Sequence, residues 1–453
     1  NAQKAMSILR GISIRIPLLV YGADVPVDRE ITVDNFVDLI DDASWEEFMP
    51  TGVTKDIYRK FAKYYEQDVF VAAGRQIRNM TLAADELSPD DRVKKIAAQF
   101  AMFKNPDKET VLTPWRVVNM HMSDCLGGYC FYNEDFTDTL EDPRFVDMGK
   151  VTADTLSNTK AQILEINSKT GLYPLYVTYS IYRKRCEAVD PKELTLERQY
   201  HLWQRTVEEN VFVICKTPMA KAITRRTLLG YRKGKTNAHA FDDIIKQLKE
   251  KPEQFKEKVL RGSFWNKENK EVKFDAVVGN PPYQGTNHSQ IYPFFYLAAI
   301  EIGKYVSLIF PSGWQQPKNA NNLAKLNNAK IKADAQIVKI DNRQNIFPNI
   351  SGAEWVNIIL WEKGYDNGLN GKQLIYTNGE APQEVALSWE ASPISKPIEI
   401  QTFSKILLSI DGFVPLQKFT SVSKPYGIRK DVFKNYAKYG LTKMSEIRNS
   451  DTD

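Results

Sequence analysis

Residues 274–283 read Phe-Asp-Ala-Val-Val-Gly-Asn-Pro-Pro-Tyr. Phe274 to Val278 is apolar enough for a buried strand, and it stops in a stiff polar turn. Pro281 and Pro282 fix their dihedrals, so the turn need not be ordered when a ligand arrives. Asn280 brings a side-chain carbonyl, Pro281 a main-chain carbonyl and Tyr283 an aromatic face. That set suits gripping a flat base by its exocyclic amine and stacking on it. The amine of adenine is a poor nucleophile, because its lone pair is delocalised into the ring. Two oxygen acceptors would hold both N–H groups and stabilise the positive charge that grows as the nitrogen attacks a methyl group. Such chemistry requires no strong general base. The plainer reading is a strand followed by a Pro-Pro turn.

The elements around this turn set what it can do. A chain of 453 residues has room for roughly two to four domains. Four cysteines without close pairing argue against a disulfide framework and fit a reducing, cytoplasmic setting. Ile16 to Tyr21 is too short an apolar run for a membrane span. Cys125 and Cys130 lack partners at zinc spacing, so no metal site is expected. Charge is uneven: residues 1–60 hold 7 Lys/Arg against 10 Asp/Glu, whereas residues 391–453 hold 10 against 6. A basic carboxyl-terminal end suits contact with phosphates.

In chain order, Ile12 to Tyr21 reads as a strand ending at Gly22. From Thr54 the aromatic spacing turns helical, and Ser88-Pro89 is a helix start. Thr113 is a good N-cap and Pro114 a good first helical residue, predicting a helix through Met122. Gln162 to Glu165 is a short strand, followed by a polar loop through Thr170-Gly171 and then a helix. Val211 to Cys215 is a strand leading into Lys216 and a Thr-Pro helix start. Gly262-Ser263-Phe264-Trp265 precedes the central strand. Helix 291–302 and strands 305–311, 335–340 and 354–361 follow, then a hairpin and linker over 366–400.

Taken together, these stretches resemble the amino-methylating DNA methyltransferases of the adenine-N6 kind. Asn280-Pro281-Pro282-Tyr283 is similar to their motif IV. Thr113-Pro114 resembles motif X, the Glu165–Gly171 stretch motif I, Cys215-Lys216 the place of motif II and Ser263-Phe264 that of motif III. The order resembles the gamma arrangement in large single-chain restriction–modification proteins of the type ISP or type IIG kind, over roughly residues 108–365. The resemblance implies a Rossmann-like α/β domain with a seven-stranded, mainly parallel sheet. It also implies S-adenosylmethionine as cofactor, held by Thr113, Pro114, Glu165, Asn167, Thr170, Gly171, Lys216, Ser263 and Phe264. Double-stranded DNA would be the substrate, with fused helicase and nuclease domains as companions and no membrane. The implied division is a mostly helical connector over 1–107, a catalytic domain over 108–397 and the start of a target recognition domain over 398–453. The chain departs from the pattern at several places, and Ile166-Asn167 stand where the usual Pro-small pair would be. Lys169 replaces a small residue, Ser263 replaces an acid, and Cys215-Lys216 stand where an acid would take the ribose hydroxyls. A second reading is therefore a catalytically weak DNA-recognition scaffold for a linked helicase–nuclease.

Overall fold

The computed structural model describes residues 2–103, 112–241, 243–283, 290–315, 322–347 and 355–387. The expected recognition segment 398–453 lies outside them. The strands are β1 (Gly128–Tyr132), β2 (Thr139–Val146), β3 (Ile163–Ser168), β4 (Val211–Cys215), β5 (Asn237–Ala240) and β6 (Phe274–Gly279). They continue as β7 (Gly303–Pro311), β8 (Ile337–Arg343), β9 (Val356–Glu362), β10 (Lys372–Thr377) and β11 (Gln383–Ala386).

Nine of them form one sheet in the order β11-β10-β8-β9-β7-β6-β3-β4-β5. Strands β5, β4, β3, β6 and β7 are mutually parallel. Strand β9 enters antiparallel between β7 and β8, and β10–β11 extend the edge as a hairpin. The fold is thus α/β and mainly parallel, with nine strands where seven were expected; the hairpin beyond β8 makes the difference.

Both faces of the sheet are covered, which is why the central strands are mostly apolar. Ile163, Val211, Val213, Ala276 and Val278 point into one core, together with helix Leu172–Glu187. Leu164, Phe212, Ile214 and Val277 point into the other, with helices Ile244–Glu250, Pro252–Leu260 and Tyr292–Ile302. From β3 the chain builds outward through β4 and β5, then crosses back to lay β6 and β7 on the other side. The strand order therefore reverses between β3 and β6, and in such sheets the crevice at that reversal, beyond the carboxyl ends, is where ligands bind.

The first hundred residues are helical, as the aromatic spacing from Thr54 implies. Ile12 to Tyr21, read above as a strand, is instead the second half of helix Ala2–Gly22. Its β-branched composition favours a strand, but tertiary packing overrides that preference. Ile12, Leu18, Leu19, Val20 and Tyr21 are buried in the core shared with helix Pro218–Leu229. By length and composition Gln3–Gly22 is apolar enough to cross a membrane; its buried residues pack as a core helix does.

Arg92, ion-paired at 2.9 Å with Asp85 of the same region, ties it to helix Pro218–Leu229. Both side chains are buried, and Arg92 also donates to the carbonyls of Arg226, Thr227 and Leu228 at that helix's end. A buried charge satisfied on every side is stable where a lone one would not be. Residues 1–397 form one compact unit.

Candidate functional site

The site grows from the close approach of β6 and β3 at the reversal. Gly279 closes β6 with φ +147°, and a Cβ there would sit 3.0 Å from the Ile166 carbonyl oxygen. A side chain at this point would push the two strands apart, so glycine is required. The chain then turns to Asn280, which is half-buried.

Asn280 Nδ2 donates to Thr113 Oγ1 at 2.9 Å. This corrects the expectation for Thr113. Pro114, not Thr113, takes the N-cap position of helix Trp115–Cys125, with no side-chain capping bond. The threonine hydroxyl faces the Asn280 amide instead. The other end of that amide, Oδ1, is buried and has no hydrogen-bond partner among the described residues. An oriented acceptor with nothing to accept from is costly in a folded protein, and a ligand donor or an ordered water would satisfy it. Pro281 is buried; Pro282 and Tyr283 are half-buried. The Tyr283 ring packs against both cores, and its carbonyl accepts from Ile291 N at 3.3 Å.

Across the reversal, Glu165 pairs in register with Val278 on β6 and Val213 on β4. The strand does not end there, as the sequence suggests, but continues to Ser168. Asn167 makes a bulge, with φ +70° and a register shift against β4. Glu165 Oε2 and Asn167 Oδ1 are both buried without hydrogen-bond partners among the described residues. Burial pushes the Glu165 carboxyl up to about 8, with the Ser168 hydroxyl pulling the other way. Three acceptors without partners among the described residues thus flank the reversal, Glu165 and Asn167 on β3 and Asn280 just past the end of β6.

The loop after β3 is pinned to helix Pro218–Leu229. Ser168 Oγ accepts from Gly171 N and lies 3.1 Å from Thr224 Oγ1, and the Thr170 carbonyl accepts from Thr227 Oγ1 at 2.7 Å. Gly171 has φ +76°, and a Cβ there would meet Thr224 Cα at 2.9 Å. Backbone cannot yield as a side chain can. Gly171→Ala is therefore expected to destabilise the chain by about 2–4 kcal/mol, from left-handed strain plus overpacking. Urea unfolding of the two proteins, with equal slopes, would read that difference.

Beside this loop, β4 ends in buried Cys215, and half-buried Lys216 follows. Burial raises the Cys215 thiol, and the nearby Glu165 and Glu47 carboxylates raise it further. Sequence reasoning did not connect Glu47 with this place. It also missed β5, whose last turn returns to the same edge: Phe241 N donates to the Cys215 carbonyl at 2.8 Å.

A second unforeseen feature is a buried chain of side chains. His121 Nδ1 lies 2.7 Å from the Tyr173 hydroxyl, and Nε2 lies 2.8 Å from Ser307 Oγ. Burial lowers His121 to about 3, so it stays neutral and acts as a tie between helix Trp115–Cys125, helix Leu172–Glu187 and β7. Burial also raises the Tyr173 phenol, and the Glu165 and Tyr283 side chains add to it. A single histidine in the Val117–Met122 run was the only trace of this in the sequence.

Ser263 and Phe264 lie on the β5 side of this edge, Phe264 against Phe241, whose N–H donates to the Cys215 carbonyl. They lie in a short 3-10 turn, Gly262–Trp265. Trp265 packs on Phe212 and Phe274, near the entering ends of β4 and β6. Lys267 Nζ donates to the Glu208 carbonyl just before β4. Ser263 is exposed, and Phe264 lies against His239 on β5 and against Phe241.

Residues 209–347 match the family described as Eco57I restriction-modification methylase. An uncharacterized adenine-specific methylase of Mycoplasma pneumoniae is 30% identical over 118 residues, 23% of this chain and 26% of that protein. The match thus spans about a quarter of the curated relative's length. Among solved structures, the methyltransferase subunit of a type I restriction-modification system from Streptococcus thermophilus aligns over 82% of this chain and 66% of its own. The identity is 14% and the TM-score 0.40. The DNA-bound type ISP restriction-modification enzyme LlaBIII aligns over 83% of this chain and 27% of its own, at 12% identity and a TM-score of 0.41. A putative class I S-adenosylmethionine-dependent methyltransferase from Listeria monocytogenes aligns over 88% of this chain and 98% of its own, at 10% identity and a TM-score of 0.38.

Proposed function

We propose that this chain is the DNA adenine-N6 methyltransferase part of a restriction–modification enzyme, with S-adenosylmethionine as methyl donor and double-stranded DNA as substrate. One observation carries the reading. Thr113 and Asn280, 167 residues apart, meet in a hydrogen bond at the strand reversal, leaving the amide oxygen of Asn280 with no partner among the described residues. Support also comes from the family match over residues 209–347, which includes Asn280 to Tyr283.

The residues present fit the cofactor. Its methionine part is an ammonium and a carboxylate, and its sugar offers hydroxyl donors. The partnerless acceptors on Glu165 and Asn167 suit donors of that kind. Thr113, Pro114, Glu165, Asn167, Thr170, Gly171 and Lys216 would hold it. When bound, it supplies an electrophilic methyl group. The protein's part is then to bring one adenine out of the duplex and present its amine. Asn280 Oδ1 and the Pro281 carbonyl would accept the two N–H groups, favouring the charge that develops on nitrogen. Tyr283 would stack on the extruded ring. The division assigned to the chain is a helical connector over 1–107, this catalytic domain over 108–397 and the start of a recognition domain over 398–453.

Thr113 orients the Asn280 amide without touching the substrate amine. Thr113→Val is therefore expected to lower turnover by about tenfold, the worth of one hydrogen bond, with KM for DNA nearly unchanged. The test of the function itself is mass analysis of duplex DNA incubated with the protein and S-adenosylmethionine. The expected product is N6-methyladenine; its absence from DNA containing every short sequence would overturn the reading. The scaffold reading has Cys215-Lys216 in its favour, and calorimetry separates the two. A scaffold gives no heat with millimolar S-adenosylmethionine.

A further inference from the structure

The end of β4 lacks a carboxylate of its own, yet a carboxylate is there. In nucleoside-binding sheets of this type, an acid near the end of the strand beside the glycine loop takes the ribose hydroxyls. Here that position holds Cys215 and Lys216. Two residues past β4, Thr217 Oγ1 donates to Glu47 Oε2 at 2.5 Å. Glu47 comes from helix Asp42–Phe48 in the amino-terminal region. Its neighbour Ser44 fixes the same junction, accepting from Met219 N at 3.0 Å.

Glu47 is only 8% exposed, and its second oxygen, Oε1, is buried with no hydrogen-bond partner among the described residues. A carboxylate holding a single hydrogen bond in a buried setting is poorly satisfied. Thr217 alone does not require it, because a serine or asparagine in its place would meet the same hydroxyl. A vicinal diol offers two donors, matched to the oxygen left over. Ser44 already occupies the amide of Met219 at the start of helix Pro218–Leu229, so that helix end does not compete for the sugar.

Resting on the methyltransferase reading above, we propose that Glu47 accepts the ribose hydroxyls of S-adenosylmethionine. The acid absent from the β4 end is supplied in space by the helical region. The cofactor site is thus completed by a segment 170 residues away in sequence. Arg92, on another helix of the same region, also ties that region to helix Pro218–Leu229, so cofactor binding and docking of the helical region are one linked equilibrium.

The test is titration calorimetry of the full chain with S-adenosylhomocysteine and with its 2′-deoxyribose analogue. Wild type should bind the first about tenfold or more tightly than the second, the worth of a hydrogen bond to a charged acceptor. Glu47→Gln should bind S-adenosylhomocysteine about tenfold more weakly than wild type and discriminate little between the two. A Glu47→Gln protein that keeps the full wild-type discrimination overturns the assignment, whatever its affinity. Thr217→Val is the structural control. It loosens the same junction but leaves the carboxylate, and should keep most of the discrimination. If Glu47→Gln does not fold, Glu47→Asp carries the same comparison: reduced discrimination supports the proposal and unchanged discrimination overturns it. A wild-type protein that binds neither ligand sinks the methyltransferase reading and this proposal with it, whereas one that binds both equally sinks this proposal alone.

Discussion

Asn280→Ala is expected to lower the rate of adenine methylation by at least about a hundredfold, while affinity for duplex DNA stays within about twofold. The asymmetry follows from where the amide sits. Its Nδ2 faces Thr113 and its Oδ1 has no partner among the described residues, so the oxygen is the part held in readiness. An acceptor aimed at developing charge acts mainly in the transition state, so its loss falls on kcat. DNA affinity comes mostly from phosphate contacts, which this side chain does not provide. The substitution removes one half-buried hydrogen bond, about 1 kcal/mol, too little to unfold the chain. Single-turnover methylation at saturating cofactor, beside a DNA-binding titration, would measure both quantities. Turnover within tenfold of wild type would remove Asn280 from the mechanism. At saturating cofactor, combining Thr113→Val with Asn280→Ala should cost no more than Asn280→Ala alone, because the threonine then acts through the amide it orients.

The parts of this site that were legible in the sequence are those in which one short stretch carries both the element and the chemistry. Phe274 to Tyr283 is such a stretch: four apolar residues out of five announce a buried strand, and two prolines announce a stiff end. Strands β3, β4, β7 and β9 were legible from their apolar runs for the same reason. Strand β5 was not. Asn-Ala-His-Ala has no β-branched residue and no clear alternation, and its extended form comes from pairing with β4, Phe212 opposite Asn237 through Cys215 opposite Ala240. The misreading of Ile12 to Tyr21 has the opposite cause. The signal was strong, but it reported burial on a helix flanked by several others. Thr113 shows the limit within a single residue. Local rules make it a cap, whereas a contact with Asn280 puts its hydroxyl to another use. Glu47 and Thr217 could not be joined by any local rule, because their meeting depends on how helix Asp42–Phe48 docks onto helix Pro218–Leu229. Local chemistry was therefore readable, while the assembly of the cofactor edge, drawn from four separate stretches, was not.

Glu165 is expected to release close to one proton when the cofactor binds near neutral pH. Burial raises its carboxyl from 4.5 to about 8, so in the free protein it is mostly protonated at pH 7. An ammonium group brought against it would favour the charged form and drive the proton off. The same shift sets a stability trend with a definite sign. A carboxyl that binds its proton more tightly when folded contributes stability that is complete below pH 4.5 and lost as pH rises through about 8. The free protein should therefore weaken across that window, by on the order of a few kcal/mol, and Glu165→Gln should flatten that part of the profile. Calorimetry with S-adenosylmethionine in buffers of different ionisation enthalpy at pH 7 counts the protons released. Wild type should give a value near one. Glu165→Gln should give a value near zero, with affinity reduced about tenfold to a hundredfold through loss of a hydrogen bond to a charged group. Equal proton release from both proteins would assign the proton to another group and leave Glu165 as a buried structural acid. Zero release from wild type would mean that no cation comes near it, and the methionine end of the cofactor would then have to be placed elsewhere along the edge.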